Sequence, residues 1–153
     1  MDLILWRHAE AIDLELVGDD MLRTLTPRGE KQAARMAAWL DRHLPDSTKV
    51  WASPALRTEQ TAQALGRKFK TSQALAPLAN VDQLLELVQW PHAKGCVLVV
   101  GHQPTLGQAL AKLLNLNDNE CAVRKGAVWW LRYRERETAQ KTVVVTVQSP
   151  DLL

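Results

Sequence analysis

Long apolar runs are missing from this sequence, as are repeats, low-complexity tracts and Gly/Ser-rich linkers. The longest apolar stretches, Val97–Val100 and Val143–Val147, are strand-sized; a membrane span needs roughly 20 residues. Cysteine is scarce. Cys96 and Cys121 are the only two, with no CxxC spacing and no histidines clustered beside them. That excludes a disulfide framework, argues against a zinc site, and leads us to expect two free thiols in a reducing compartment. A charge bias is absent too: 19 basic residues are interleaved with 17 acidic ones, for a net charge of +2. This is not a nucleic-acid footprint, and a small anionic substrate suits it at least as well. The opening Met1-Asp2-Leu3-Ile4-Leu5-Trp6-Arg7-His8-Ala9-Glu10 does not read as a secretory leader, because Arg7, His8 and Glu10 interrupt the apolar run. The expectation is a cytoplasmic protein with neither membrane nor nucleic acid as partner.

What the sequence does contain is enough to fold. With 153 residues, 46% hydrophobic and 24% charged, one domain over 1–153 is expected, burying roughly 70% of its unfolded surface. Strand and helix signals alternate. Leu3–Trp6 reads as a strand and Ala11–Leu25 as a loop with a turn of helix. Thr26-Pro27 opens a helix, a capping residue followed by proline at the first helical position, and Ala33, Ala34, Ala37, Leu40 and Leu44 recur at helical spacing. Thr48–Ala52 is a second strand. Ser53-Pro54 opens another helix to about Lys68, and Val81–Gln89 a further one. Cys96–Val100 reads as a strand buried on both faces, and Thr105–Leu114 as a helix. Ala127–Arg134 and Lys141–Gln148 close the sequence as β segments, possible antiparallel partners across Glu137–Gln140. This alternation predicts an α/β fold, a three-layer αβα sandwich on a mainly parallel sheet.

Three polar segments each follow a predicted strand: Arg7-His8, Ser53-Pro54-Ala55-Leu56-Arg57 and Gly101-His102. In an open parallel sheet, ligands bind beyond the carboxyl ends of the strands. Two arginines and two histidines therefore converge on one edge, close to helix starts that favour anions. Guanidinium groups match phosphate geometry, and a neutral imidazole is a nucleophile. Nearby arginines would keep that imidazole neutral, and a backbone carbonyl on its other nitrogen would fix its tautomer. The arginines supply the positive charge, so neither metal nor other cofactor is expected.

These segments carry a resemblance. Leu5-Trp6-Arg7-His8-Ala9-Glu10 resembles the RHG motif of the histidine phosphatase superfamily, the phosphoglycerate mutase-like proteins. Ser53-Pro54-Ala55-Leu56-Arg57-Thr58-Glu59-Gln60-Thr61-Ala62 resembles its SPxxRTxQTA motif, Gly101-His102-Gln103-Pro104 its third motif, and Leu25-Thr26-Pro27-Arg28-Gly29 its LTxxG helix entry. The four fall in the family's order over residues 3–114. Ala9 departs from the usual glycine and removes some backbone freedom beside His8. The resemblance implies a phosphoglycerate mutase-like fold, with His8 as a nucleophile that forms a transient phosphohistidine. Arg7, Arg57 and His102 would hold the phosphoryl oxygens. Arg23 falls where the small SixA-type members carry a further phosphate-facing arginine.

Substrate class turns on the leaving group. Larger ester-cleaving members carry an insertion after the second motif, with an acid that protonates the departing alkoxide. Here Leu75–Asp82 is compact and offers only Asp82, with Glu86 one turn on. Imidazole, whose conjugate acid has a pKa of ~6.5, leaves without such help. The length, the missing insertion and this segment resemble SixA-type phosphohistidine phosphatases, which implies a phosphohistidine-bearing phosphotransfer protein as partner and an oxyanion in the site. The alternatives are a phosphate monoester phosphatase using Asp82 or Glu86, and a non-catalytic phosphate binder.

Other residues have plainer expectations. His43 reads as a helix-end residue and His92 as a loop residue. Glu10 is either a solvated acid or the orienter of a neighbour. Trp6, Trp39, Trp51, Trp90, Trp129 and Trp130 are expected to pack, with Trp6 and Trp51 near enough to strand ends to wall the site. Arg132, Arg134 and Arg136 would share a strand face, either solvated or a docking patch for an acidic partner.

Overall fold

The computed structural model describes residues 1–135 and 141–153. Six strands form one sheet in the order β3-β2-β4-β1-β5-β6. They are β1 (Asp2–Arg7), β2 (Lys49–Ala52), β3 (Lys70–Thr71), β4 (Cys96–Gly101), β5 (Val128–Tyr133) and β6 (Thr142–Gln148). The first four run parallel. β5 lies antiparallel to β1, and β6 antiparallel to β5. The helices are α1 (Pro27–His43), α2 (Leu56–Gln63), α3 (Val81–Val88) and α4 (Thr105–Leu113).

Strand side chains alternate between faces, and that period builds the layers. Ile4, Trp6, Leu98 and Val100 pack with Met36, Ala37 and Leu40 of α1 and Ala62 of α2. Leu3, Leu5, Val97 and Val99 point the other way, onto Leu84 and Val88 of α3 and Leu106, Ala109 and Leu110 of α4. β4 is buried along its whole length, as its continuous apolar run requires. The expected αβα sandwich is what forms. No helix among the described residues is long and apolar enough to cross a membrane.

Helix boundaries show where local rules lose to tertiary ones. α1 starts as its sequence dictates: Thr26 Oγ1 accepts the Gly29 amide at 3.0 Å, with Pro27 at the first position. Gly29 is required there, because a Cβ would run into the Glu10 carbonyl. The inward face differs from expectation, since Ala34 is exposed while Gln32 and Met36 are buried. Gln32 is buried because its Oε1 accepts the Glu10 amide at 3.0 Å. α2 begins at Leu56, not at Ser53-Pro54. Ser53 is not its cap, because its hydroxyl accepts the Ala55 amide and meets His102 instead. The helix also stops at Gln63, short of Lys68, and Gly66 takes a left-handed φ of 72° soon after. The two-residue β3 that follows carries too little pattern to be read from sequence. The proposed crossing at Glu137–Gln140 and Arg136 lie outside the described residues. The two segments beside it do pair antiparallel.

Candidate functional site

The site grows from register. Arg7 at the end of β1 sits beside Gly101 at the end of β4. The next residue on each strand is a histidine, so His8 and His102 are neighbours, their ring centroids 5.2 Å apart. Backbone bonds fix both exits: the His8 amide donates to the Gly101 carbonyl at 3.1 Å, and the Ser53 amide to the Val100 carbonyl at 3.0 Å. β2 thereby delivers Ser53 and, at the second position of α2, Arg57 to the same edge. His8, Arg57 and His102 are 6%, 4% and 4% exposed.

Each imidazole has a defined tautomer. His8 Nδ1 lies 2.7 Å from the Ala9 carbonyl, an oxygen that can only accept. Nδ1 therefore carries the proton, and Nε2 keeps its lone pair. His102 Nδ1 takes a hydrogen bond from Arg57 at 3.3 Å, so its Nε2–H donates to Ser53 Oγ at 2.7 Å. Burial pushes the His8 pKa down; the Ala9 bond opposes this, the charges of Arg57, Arg7 and Arg23 reinforce it, and the result is about 3. His102 also falls to about 3, through burial first and then through His8 and Arg57. Both rings are neutral at pH 7.

The arginines hold the charge. Arg7 donates to the Val123 carbonyl at 2.8 Å. Arg57 gives one terminal nitrogen to the Asp20 carbonyl at 2.7 Å and the other to Asp20 Oδ2 at 3.0 Å. Arg23 bonds Ile12 O at 2.7 Å and Asp20 Oδ1 at 3.1 Å. Burial lowers Arg7 and Arg57 from their ordinary value, yet a guanidinium starts so high that it stays charged. The Nε–H groups of Arg7 and Arg57 are buried and find no acceptor among the described residues. A buried donor without an acceptor costs about 1–3 kcal/mol.

All five residues singled out from sequence, Arg7, His8, Arg23, Arg57 and His102, thus gather in one place. Asp20 was missed, because nothing local distinguishes it from its neighbour Asp19. Partial burial pushes its carboxyl up, but the hydrogen bonds and charges of Arg23 and Arg57 outweigh this and hold it below the ordinary range. Two motif residues act as framework. Thr61 Oγ1 accepts the Ala9 amide at 3.1 Å while donating to the Arg57 carbonyl at 2.8 Å, and Gln60 Oε1 accepts the Leu25 amide at 2.8 Å. Ala9 has no positive φ, and its methyl is buried against Leu25 and Ala33. The backbone at this position makes no demand for glycine.

Other candidates fall outside. Asp82 pairs with Lys112 at 2.9 Å, both exposed, near the end of α4. Glu86 is exposed on α3. Glu10 lies 3.7 Å from Arg28. Trp6 is fully buried and donates to the Gly126 carbonyl, so it is core and not a wall of the site. Trp51 lines a surface groove with Lys49, Val50 and Phe69 beside β3. Arg132 is not on a free face; it makes a two-pronged pair with Asp2 at 2.7 and 2.8 Å. Arg134 is exposed. His43 caps its own helix end through the Trp39 carbonyl, His92 is exposed, and Cys96 and Cys121 are free thiols.

Comparison with known proteins places this geometry. The model of the histidine phosphatase superfamily (branch 1) matches residues 3–90. The phosphohistidine phosphatase SixA of Escherichia coli is 30% identical over 122 residues, covering 74% of each chain. A solved structure of the protein histidine phosphatase SixA with tungstate superposes with a TM-score of 0.82 at 24% identity, covering 99% of both chains. A phosphoserine phosphatase of Entamoeba histolytica shares the fold at 16% identity, with a TM-score of 0.74 and 99% and 98% coverage.

Proposed function

The chain belongs to branch 1 of the histidine phosphatase superfamily, and from that premise we propose that it is a phosphohistidine phosphatase working through a phosphoenzyme on His8. The observation that carries the reading is a buried, neutral imidazole pinned by the Ala9 carbonyl among arginines, its Nε2 lone pair unprotonated. In the first step the Nε2 lone pair of His8 attacks phosphorus. The bond to the substrate's imidazole nitrogen breaks and that nitrogen keeps the electron pair; with the ring's other nitrogen already protonated from solvent, the group leaves as neutral imidazole. In the second step water attacks the phosphoryl group on His8, phosphate leaves, and Nε2 regains its lone pair. Throughout, the Nδ1–H bond to Ala9 holds the ring.

Arg7, Arg57 and Arg23 would balance the charge of the transferring group. His102 would complete the pocket and hold Arg57 in line. The charge is supplied by arginine, so the proposed reaction is metal-independent and persists in a chelator.

Carboxylate placement supports a nitrogen leaving group. Asp82 and Glu86 face solvent on α3. Asp20, which does touch the arginines, is held deprotonated and has no proton to give to an alkoxide. An alcohol would depart without help here, whereas imidazole needs none. That favours phosphohistidine, on a phosphotransfer protein, over a phosphate ester. The test is phosphate release from a phosphorylated histidine phosphotransfer domain and from an alkyl ester, phosphoserine, each with the native protein and with His8→Ala. Fast release from the protein alone, abolished by His8→Ala, is expected. Faster release from the ester would overturn the substrate assignment, and release that survives His8→Ala would overturn the nucleophile.

A further inference from the structure

Residues 12–24 form a closed loop. Its ends meet at the Ala11–Leu25 bridge, with the Ile12 amide on the Thr24 carbonyl at 2.8 Å. Compact loops with joined ends often carry function, and this one has an unusual surface. Within nine positions it exposes Leu14 at 46%, Leu16 at 75%, Val17 at 38% and Leu22 at 54%. Together they present on the order of a few hundred Å² of apolar surface, the range of functional patches. No residue from 13 to 19 is buried, so these side chains do not hold the loop in place. What ties it down is Asp20, through its carbonyl and both carboxylate oxygens, to Arg57 and Arg23.

The loop is therefore moored to the arginines of the site by one acid, with its leucines left in water. We propose that it is the surface on which the phosphohistidine-bearing protein docks; this rests on the phosphatase reading above. A small phosphoramidate would fill the arginine pocket without reaching the leucines. A phosphorylated imidazole on a protein surface brings neighbouring side chains with it, and those would cover the loop. The occupant that fits is an apolar patch beside the phosphohistidine, with basic residues toward Asp13, Glu15 and Asp19, which surround the leucines in sequence.

The other run of exposed apolar residues has a different explanation. Val143, Val144, Val145 and Val147 lie on β6, at the sheet edge. There a register shift opposite Trp130 and Leu131 leaves Val145 as an extra residue, a bulge of the kind that turns edges away from further pairing. Among the described residues, no hydrogen bond or ion pair ties that strand to the site.

The test compares Leu16→Ser, and Leu14→Ser with Leu16→Ser together, against the native protein on two substrates: a phosphorylated histidine phosphotransfer domain and phosphoimidazole. Both leucines are exposed, so the variants are expected to melt with the native protein. The expected result is a rise in KM for the protein substrate of about tenfold in the double variant, with kcat and phosphoimidazole turnover unchanged. An unchanged KM for the protein would overturn the docking surface and leave the phosphatase reading standing. Equal losses on both substrates would also overturn it, by showing that the loop acts through the pocket. A native protein that cleaves phosphoimidazole but not the protein would overturn both readings.

Discussion

The floor of the site and its rim are built on opposite principles. The floor is made of strand ends and one helix start. His8, Arg57 and His102 are buried, each has a named partner, and sheet register sets where they meet. The rim is a loop whose side chains face water and whose hold on the body runs through Asp20. The difference suggests a division of labour. Chemistry that tolerates no slack is fixed to the sheet, while recognition is carried by a segment that can vary without disturbing it.

Three changes separate floor from rim. The largest effect is expected at the floor: Arg57→Ala removes a buried guanidinium whose Nε–H lacks an acceptor, and phosphate release should fall by about 10²–10³-fold. Steady-state kinetics on phosphoimidazole checks this, and a loss below tenfold would mean that Arg57 is structural.

The second change is pH. His8 and His102 have folded pKa values near 3, below the ~6.5 of an unfolded histidine. The unfolded chain binds more protons between those values, so stability is highest above pH 6.5 and falls as pH drops toward 3. The loss between pH 7 and pH 5 should be roughly 2–4 kcal/mol, read from urea midpoints and largely removed in a His8→Gln/His102→Gln double variant. The same low values mean that His8 puts no acid limb near pH 6.5 into the rate profile.

The smallest effect belongs to the rim. Asp20→Asn keeps an acceptor for the arginines but removes a negative charge that is partly exposed and therefore screened. Inhibition by inorganic phosphate should tighten by about three- to tenfold, since the anion then meets an uncompensated pair of arginines. Weaker inhibition would mean that Asp20 mainly holds Arg57 in place.

Legibility in the sequence followed the same divide. The floor was readable because His8 and His102 directly follow strands and Arg57 lies in the segment that leaves β2, and strands of four to six apolar residues are strong local signals. Thr26-Pro27 marked α1 correctly because that cap is local. Ser53-Pro54 misled because Ser53 is committed to His102, a partner 49 positions away. Ala34 misled because alanine satisfies a helical period from either face, whereas Gln32 turns inward for a hydrogen bond to Glu10 that no pattern announces. Asp20 could not be singled out, since its role depends on arginines 3 and 37 positions away. Arg132 alternates with Arg134 in sequence as a surface stripe would, but its partner Asp2 lies across the sheet, 130 positions away.

The central claim is that His8 carries the phosphoryl group. The most direct measurement is a rapid alkaline quench of the native protein during turnover of a phosphorylated histidine phosphotransfer domain, followed by peptide mass spectrometry. The result expected is an 80 Da phosphoryl adduct (roughly, for HPO₃) on His8, absent from His8→Ala. A quenched protein that turns over but carries phosphate on no residue, or on His102 instead, would contradict it.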